Sequence, residues 1–236
     1  MPEAVEVRKF ADIVSANVLG HHITHITILK GRYYTHKKPF EGYDELIKYL
    51  PLKIASIHTK GKFTYMTLVS EGKGKEKEKK VFYLFNTLGL SGGWTLKSDK
   101  KSNFAKCNHC NYMEVGHDTF TFPSILEYIT EDRQNNWFKR ALNHLNVEFI
   151  TDKKNISFYF YDQLSFGTLK AVKSDGVEGD DSSSVLDKKL KELGPDVLDE
   201  TTTIELFKSQ LRKKVNETKA IGNVIVNQKN ISGVGN

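Results

Sequence analysis

Six short segments constrain this chain more than anything else in it: HITHITIL (22–29), PLKIASIH (51–58), FTYMTLV (63–69), VFYLFNTL (81–88), VEFI (147–150) and ISFYFYD (156–162). Each alternates apolar with polar residues or is dense in β-branched and aromatic ones, and Gly, Lys and Asn clusters separate them. Strands of this kind bury one face each by stacking as an antiparallel sandwich. A helix precedes them: Val5, Val7, Phe10, Ile13, Val14 and Val18 recur at helical spacing, and Gly20 stands where a helix would stop, so residues 3–19 are expected to be helical. Between Trp94 and Val147 the sequence suggests a polar loop and one helix near Glu131 to Leu145. EGKGKEKEKK (71–80) reads as a solvated hairpin tip.

The character of the chain changes at SDGVEGDDSSS (174–184), which is acidic and almost free of bulky residues, as an interdomain linker is. Beyond it, SSSVLDKKLKEL and TTTIELFKSQLRKKV each open on hydroxyl residues able to cap a helix and then carry apolar residues at helical spacing. The expectation is therefore an α+β protein: a sheet domain at 1–173, a linker at 174–184 and a helical domain at 185–236. The sequence closes on NQKNISGVGN, a helix and glycine turn that would normally lead into another element, so the helical domain reads as incomplete.

With 236 residues, 39% of them hydrophobic, the chain can bury a sizeable core, and no apolar run approaches the roughly 20 residues that span a bilayer. The first ten residues mix charges of both signs, unlike a secretory signal. Only two cysteines occur, Cys107 and Cys110, which excludes a disulfide framework and fits a reducing, intracellular compartment. With His109 and His117 they form a weak zinc candidate by spacing; reduced free thiols are the default. A net charge of +6 is a mild bias toward a polyanion.

Five separated pieces, in order across essentially the whole chain, resemble one family. PEAVEVRKF is similar to the Met-Pro-Glu start of the formamidopyrimidine-DNA glycosylase/endonuclease VIII family, and VRKF looks most like its eukaryotic and viral endonuclease VIII-like branch. TKGKFTYM (59–66) resembles the family's lysine hairpin, and NTLGLSGGW (86–94) its Leu-Gly-Met-Ser-Gly loop. SFYFYDQLSFGTL (157–169) resembles the strand and loop written Asp-Pro-Arg-Arg-Phe-Gly. LGPDVLDE (193–200) with NQKNISGVGN (227–236) resembles the Leu-Gly-Pro-Glu junction and the helix-two-turn-helix clamp on DNA.

The resemblance implies a bifunctional DNA glycosylase and AP lyase that needs no cofactor and takes damaged DNA as its partner. No membrane is involved, the protein is expected to be monomeric, and its place is the nucleus if the source is eukaryotic. Pro2, freed of Met1, would be the nucleophile: an α-amino group has a reference pKa near ~8 and is far less protonated at pH 7 than a lysine near ~10.4. Glu3 would shuttle protons, Glu6 would be a second acid of the site, and Lys62 would reach phosphate and sugar. Lys60, two residues earlier on the same face, is a further phosphate contact. Leu90 and Phe166 would fill the gap left by an extruded nucleotide, while Gly235 and Asn236 would hold a phosphate at the clamp turn. Leu164 and Ser165 replace the family's two loop arginines, and Gly222 stands where many members carry a DNA-contacting lysine. Without the arginines the expected substrates are oxidised pyrimidines and hydantoins in single-stranded or bubble DNA. An 8-oxoguanine or formamidopyrimidine enzyme, and an inactive DNA-binding scaffold, are the alternatives.

Overall fold

The structure, a computed structural model, describes residues 2–71, 79–108, 110–123, 131–174 and 185–235. The tip of the charged hairpin, nearly all of the linker, His109 and Asn236 lie outside the described residues. Helix α1 (Ala4–Val18) opens the chain and is followed by β1 (His22–Ile28), short helices α2 (Gly31–Thr35) and α3 (Tyr43–Ile47), then β2 (Leu52–Lys60), β3 (Phe63–Ser70), β4 (Val81–Thr87) and β5 (Gly92–Ser98). Next come the hairpin β6 (Cys110–Val115) and β7 (Asp118–Pro123), helix α4 (Glu131–Asn143), and β8 (Leu145–Thr151), β9 (Ile156–Asp162) and β10 (Thr168–Lys173). Helices α5 (Val185–Lys191), α6 (Ile204–Leu211) and α7 (Ile221–Ile225) complete it. None of the described helices is long and apolar enough to cross a membrane.

The strands form one ten-stranded antiparallel sheet in the order β10-β4-β3-β2-β1-β8-β9-β5-β7-β6. Its two halves share a core, and α1 packs against β2 and β3 of one half and β5 and β7 of the other. The helix can serve both because Val7, Phe10, Ala11, Ile13, Val14 and Val18 are all buried, a stripe wide enough to face two layers. Trp94 anchors the aromatic centre, 5.5–5.8 Å from the rings of Phe149, Phe158 and Phe160, and its indole N–H donates to buried Asn86 at 3.0 Å. Four strands lie where the sequence suggested none. β5 is buried on both faces and carries Gly92, Gly93, Thr95 and Ser98, so it shows no apolar alternation; Thr95 is satisfied inside by the Thr121 carbonyl at 2.8 Å.

The helical segment departs from expectation at two ends. α6 stops at Leu211, short of RKKV, because the Asn216 amide takes the Gln210 carbonyl at 3.1 Å. NQKNISGVGN opens on a turn rather than a helix: Asn227 accepts from Lys229 N–H at 3.0 Å through its side chain and from Asn230 N–H at 2.8 Å through its carbonyl, the local competition asparagine offers against a helix. The cap on α6 is as expected, Thr203 accepting from Leu206 N–H at 3.2 Å.

One charged cluster ties the start of β1 to the β8–β9 turn and the end of β3. His22 meets Asp152 at 2.7 Å through Nδ1 and Glu71 at 3.0 Å through Nε2, and Asp152 also accepts from His22 N–H at 2.9 Å. Burial pulls the His22 pKa down, but its two carboxylate partners outweigh that and raise it above 6.5. Burial pushes Asp152 up, and the His22 and His21 hydrogen bonds bring it below 3.8. The histidine's contribution is complete below its unfolded pKa and is lost as pH rises through the raised folded value; the aspartate's is complete above its unfolded pKa and lost as pH falls through the lowered one. The cluster is therefore strongest between about pH 4 and pH 6.5. Urea unfolding of His22→Gln should show a smaller drop in midpoint between pH 6 and 8 than the unaltered protein; an identical drop would remove His22 as its source.

Candidate active site

The first turn of α1 presents the N-terminal pair. Glu3 occupies the cap position, exposed, and its backbone N–H donates to the Glu6 carboxylate at 3.0 Å. Glu6 thus holds the helix start in place. Pro2 precedes it, half-buried, on the wall of a cavity of about 300 Å³ that Val7, Phe63 and Leu88 line with apolar surface.

Lys62 enters the same cavity from the β2–β3 turn. Gly61 makes that turn with φ +56, a left-handed conformation that favours glycine. Lys60 ends β2 and pairs with Phe63, so Lys60 and Lys62 sit on either side of a turn instead of on one face of a strand. The Lys60 ammonium donates to the Leu190 carbonyl at 2.9 Å, capping the last turn of α5. Burial lowers the Lys62 pKa below the usual lysine range, and the Glu3 and Glu6 carboxylates raise it without cancelling that effect.

The segment Ser232–Gly235 closes the site from the other end of the chain. Ala4 N–H donates to the Gly233 carbonyl at 3.2 Å. A Cβ on Gly235 would strike the Glu3 carboxylate and stand 2.7 Å from Lys62 Nζ, so Glu3, Lys62 and Gly235 converge on one point. Two residues without an assigned role in the sequence hold this arrangement. Buried Asp196 accepts from Gly61 N–H at 2.9 Å and from Leu198 N–H at 3.0 Å, fixing the lysine turn to the helical segment. Gln228 accepts from Gly233 N–H at 2.8 Å and donates to the Val226 and Val234 carbonyls, both at 2.9 Å. Nothing in the sequence marks Gln228; only the folded turn shows that all of its polar atoms are used.

Leu90 and Phe166 are 47% and 60% exposed, and Leu164 is 52% exposed. Large apolar side chains left in water on two loops require those loops to be held from below. Buried Asp162 does this: Oδ1 accepts from Ser91 Oγ at 2.6 Å and from Leu164 N–H at 3.2 Å, and Oδ2 accepts from Gly167 N–H at 2.6 Å. Gly89 lies so near the second loop that a Cβ there would be 2.6 Å from Gly167 N. No arginine occupies the tip of that loop; the Arg32 guanidinium instead reaches the Ser165 carbonyl from behind, at 3.5 Å.

The hairpin removes His117 from the zinc candidate, while His109 lies outside the described residues. His117 sits in the β6–β7 turn and Cys110 at the far end of β6, paired with Pro123, and a strand of that length separates them by about 20 Å at roughly 3.3 Å per residue. They cannot share an ion. Cys107 and Cys110 adjoin each other, and burial with that neighbour pushes the Cys110 thiol up to about 12. Among the described residues no cluster of three His, Cys, Asp or Glu could hold a metal.

Asp162→Ala leaves the buried Gly167 N–H and the Ser91 hydroxyl without their acceptor, while Leu164 N–H keeps Ser91 Oγ at 2.8 Å. The expected loss is about 2–4 kcal/mol of unfolding free energy, read from the urea midpoint. A loss within about 0.5 kcal/mol would mean that water replaces the carboxylate and that the clasp does not stiffen the two loops.

Comparison with known proteins gives this geometry its context. Residues 1–169 match the model of the formamidopyrimidine-DNA glycosylase N-terminal domain. Solved structures similar to this chain include a Lactococcus lactis FPG mutant in complex with Fapy-dG-containing DNA, at 21% identity, TM-score 0.60, with 100% of this chain and 63% of that one covered. Another is the LlFpg protein with THF-DNA and an inhibitor, at 20% identity, TM-score 0.61, covering 100% and 64%. A third is the Lactococcus lactis Fpg with abasic-site-containing DNA, at 20% identity, TM-score 0.60, covering 99% and 64%. This chain therefore spans less than two-thirds of the length of those proteins. No curated protein sequence matches it. The family model covers more than half of the chain, and with the fold in agreement the chain belongs to the formamidopyrimidine-DNA glycosylase family.

Proposed function

We propose that the chain is a DNA glycosylase and AP lyase of base excision repair that uses Pro2 as its nucleophile. The observation that carries this reading is that Pro2 and Lys62 line one small cavity, with the Glu3 carboxylate and Lys62 Nζ both close to Gly235. Once Met1 is removed, the Pro2 nitrogen adds to C1′ of the lesion nucleotide as the bond from C1′ to the base breaks and the base departs with a proton. Loss of the amine proton and opening of the sugar ring give an iminium, with Glu3 placed to pass the proton on. The iminium acidifies C2′; removal of a proton there expels the 3′ phosphate, and a second elimination releases the 5′ phosphate. Lys62, half-buried and cationic, offers charge to the backbone phosphate.

The preferred substrates are oxidised pyrimidines and hydantoins. A cavity of about 300 Å³ is small for a ligand site, and the wedge loop lacks an arginine that would pair with one orphaned base. Selection of the opposite base is weak for that reason, and single-stranded or bubble DNA serves as well as duplex. Residues 1–173 then form the catalytic unit, 174–184 the connection and 185–236 the DNA clamp; the protein acts as a monomer wherever DNA is repaired, the nucleus in a eukaryote. The distant structural relatives bound to abasic-site and THF-containing DNA support a DNA partner.

Incubation with an abasic-site oligonucleotide and borohydride should yield a covalent complex with the protein lacking Met1. Its absence would leave a scaffold that binds DNA without turnover, and Pro2→Gly, which keeps a terminal but primary amine, should trap more slowly. Gly235→Ala should reduce strand cleavage at the abasic site by at least about tenfold, since displacement of a reacting group by an ångström costs on the order of a hundredfold. Cleavage equal to the unaltered protein's would show that Glu3 and Lys62 do not need the Gly235 backbone beside them.

A further inference from the structure

A second concavity, of about 600 Å³, opens at the outer edge of the sheet. Arg32, His36, Lys38 and Lys170 line it with the single carboxylate Glu41, which bridges to Lys170 at 2.7 Å. Nothing in the proposed chemistry uses these residues. Their position relative to the active site is fixed by the strand ladder. Phe63 of β3 pairs with Thr87 of β4, and Thr87 pairs with Thr168 of β10, the two threonine hydroxyls lying 2.7 Å apart. Phe63 and Thr87 line the cavity that holds Pro2, and Thr168 lines the basic groove. Phe63 stands two interstrand steps of about 4.8 Å from Thr168 and Thr87 only one, so the two hollows lie side by side along the ladder. Their linings thus span no more than the roughly 6–12 Å between the walls of a DNA groove. The exposed Phe166 loop touches both linings, through the Arg32–Ser165 contact on the groove side and through the close approach of Gly89 to Phe166 on the other.

We infer that the groove of Arg32, His36, Lys38 and Lys170 binds backbone phosphates of the strand complementary to the lesion. The inference rests on the glycosylase reading of the first cavity. With the lesion nucleotide seated beside Pro2 and Phe166 lodged in the stack, the next polyanion beyond the wedge belongs to the other strand. A concave face with cations on three elements, α2, the loop after it and β10, suits a curved row of phosphates better than a single small anion. Arg32 occupies the groove's inner wall, where its guanidinium is shared between the loop carbonyl and the Tyr33 ring, 5.1 Å away. Lys38 and Lys170 are both exposed and would make the ionic contacts.

The test measures affinity for an oligonucleotide bearing a tetrahydrofuran abasic analogue, as duplex and as single strand, between 50 and 200 mM salt. Each phosphate contact contributes about 0.9 to the slope of log affinity against log salt on duplex and about 0.7 on a single strand. Lys38→Ala/Lys170→Ala should flatten the duplex slope by about 2 while the single-strand slope stays at the unaltered value. Glu41→Gln, which removes the one negative charge, should tighten duplex binding. An unchanged duplex slope would overturn the proposal, and an equal loss on the single strand would place the groove on the lesion strand and overturn the assignment. If the unaltered protein does not prefer the tetrahydrofuran duplex over undamaged duplex, the glycosylase reading itself fails and the groove proposal falls with it. A preference that survives together with an unchanged slope in the double variant sinks the groove alone.

Discussion

The close approach of the Ser232–Gly235 backbone to the Gly61 turn and to the start of α1 is the contact on which the site depends. Side chains at 61, 233 or 235 would all collide with neighbouring atoms, Gly61 with the Ser232 backbone at 2.6 Å and Gly233 with Ala4 at 2.8 Å. Glycine therefore does two things here. It permits the left-handed turn at 61 and 233, and it lets two backbones touch where any larger residue would hold them apart. Asp196 and Gln228 then convert proximity into a fixed geometry, because their polar atoms are consumed by backbone groups of these same turns. A buried carboxylate or amide whose partners are all backbone cannot reorient without leaving several groups unpaired.

Electrostatics follow from that closure. Lys62 is partly dehydrated by the segment that covers it, which disfavours its charged form, and the carboxylates of Glu3 and Glu6 are near enough to oppose the effect. The site is thus a mixed-charge pocket with apolar walls: the cation has its counter-charges at the start of the helix that follows Pro2, and any anion entering must compete with them. Glu6 is partly withdrawn from that competition, since it already accepts the Glu3 N–H. Glu3 is tied in the same way, its carboxylate taking the Glu6 N–H in return, so the two acids cap the helix reciprocally.

How much of this could be read in the sequence differs by type of interaction. α1 and the six alternating strands were legible because each buries one face, and burial of one face is what periodicity reports. β5 was not, since a strand covered on both sides needs no alternation, and β6 was not, since Tyr112 and Met113 are only half-buried on an outer hairpin. β10 did carry a usable signal, with Leu169 and Ala171 inward and Lys170 outward; its shortness hid it. In the site, residue types that chemistry demands were visible at Pro2, Glu3 and Lys62. The residues that hold them were not. Asp162 and Asp196 each reach a group far away in the chain, the Ser91 hydroxyl and the Gly61 N–H, and no local pattern records a partner that only folding supplies; Gln228 bonds within its own turn, whose form the sequence does not announce. Lys60 misled for a related reason: period-two spacing assumes a continuous strand, and Gly61 breaks it.

The two loops that carry Leu90 and Phe166 show the same division between what fills space and what selects. Asp162 fastens two loops to one carboxylate, so Leu90, Leu164 and Phe166 are presented as a rigid apolar ridge whatever the sequence at their tips. A ridge of this kind can replace a stacked base by shape and burial, which every base offers equally. Discrimination among bases needs directional donors and acceptors, and the loop that would carry them has a leucine and a serine, with Ser165 held in a left-handed conformation at φ +58. The nearest arginine, Arg32, is turned toward the loop's own carbonyl. Its donors support the backbone of the loop. Stiffness and apolar surface are here supplied separately from polar contacts: Asp162 and Arg32 hold the loops from below, and the exposed tips carry leucine and phenylalanine side chains without a directional donor.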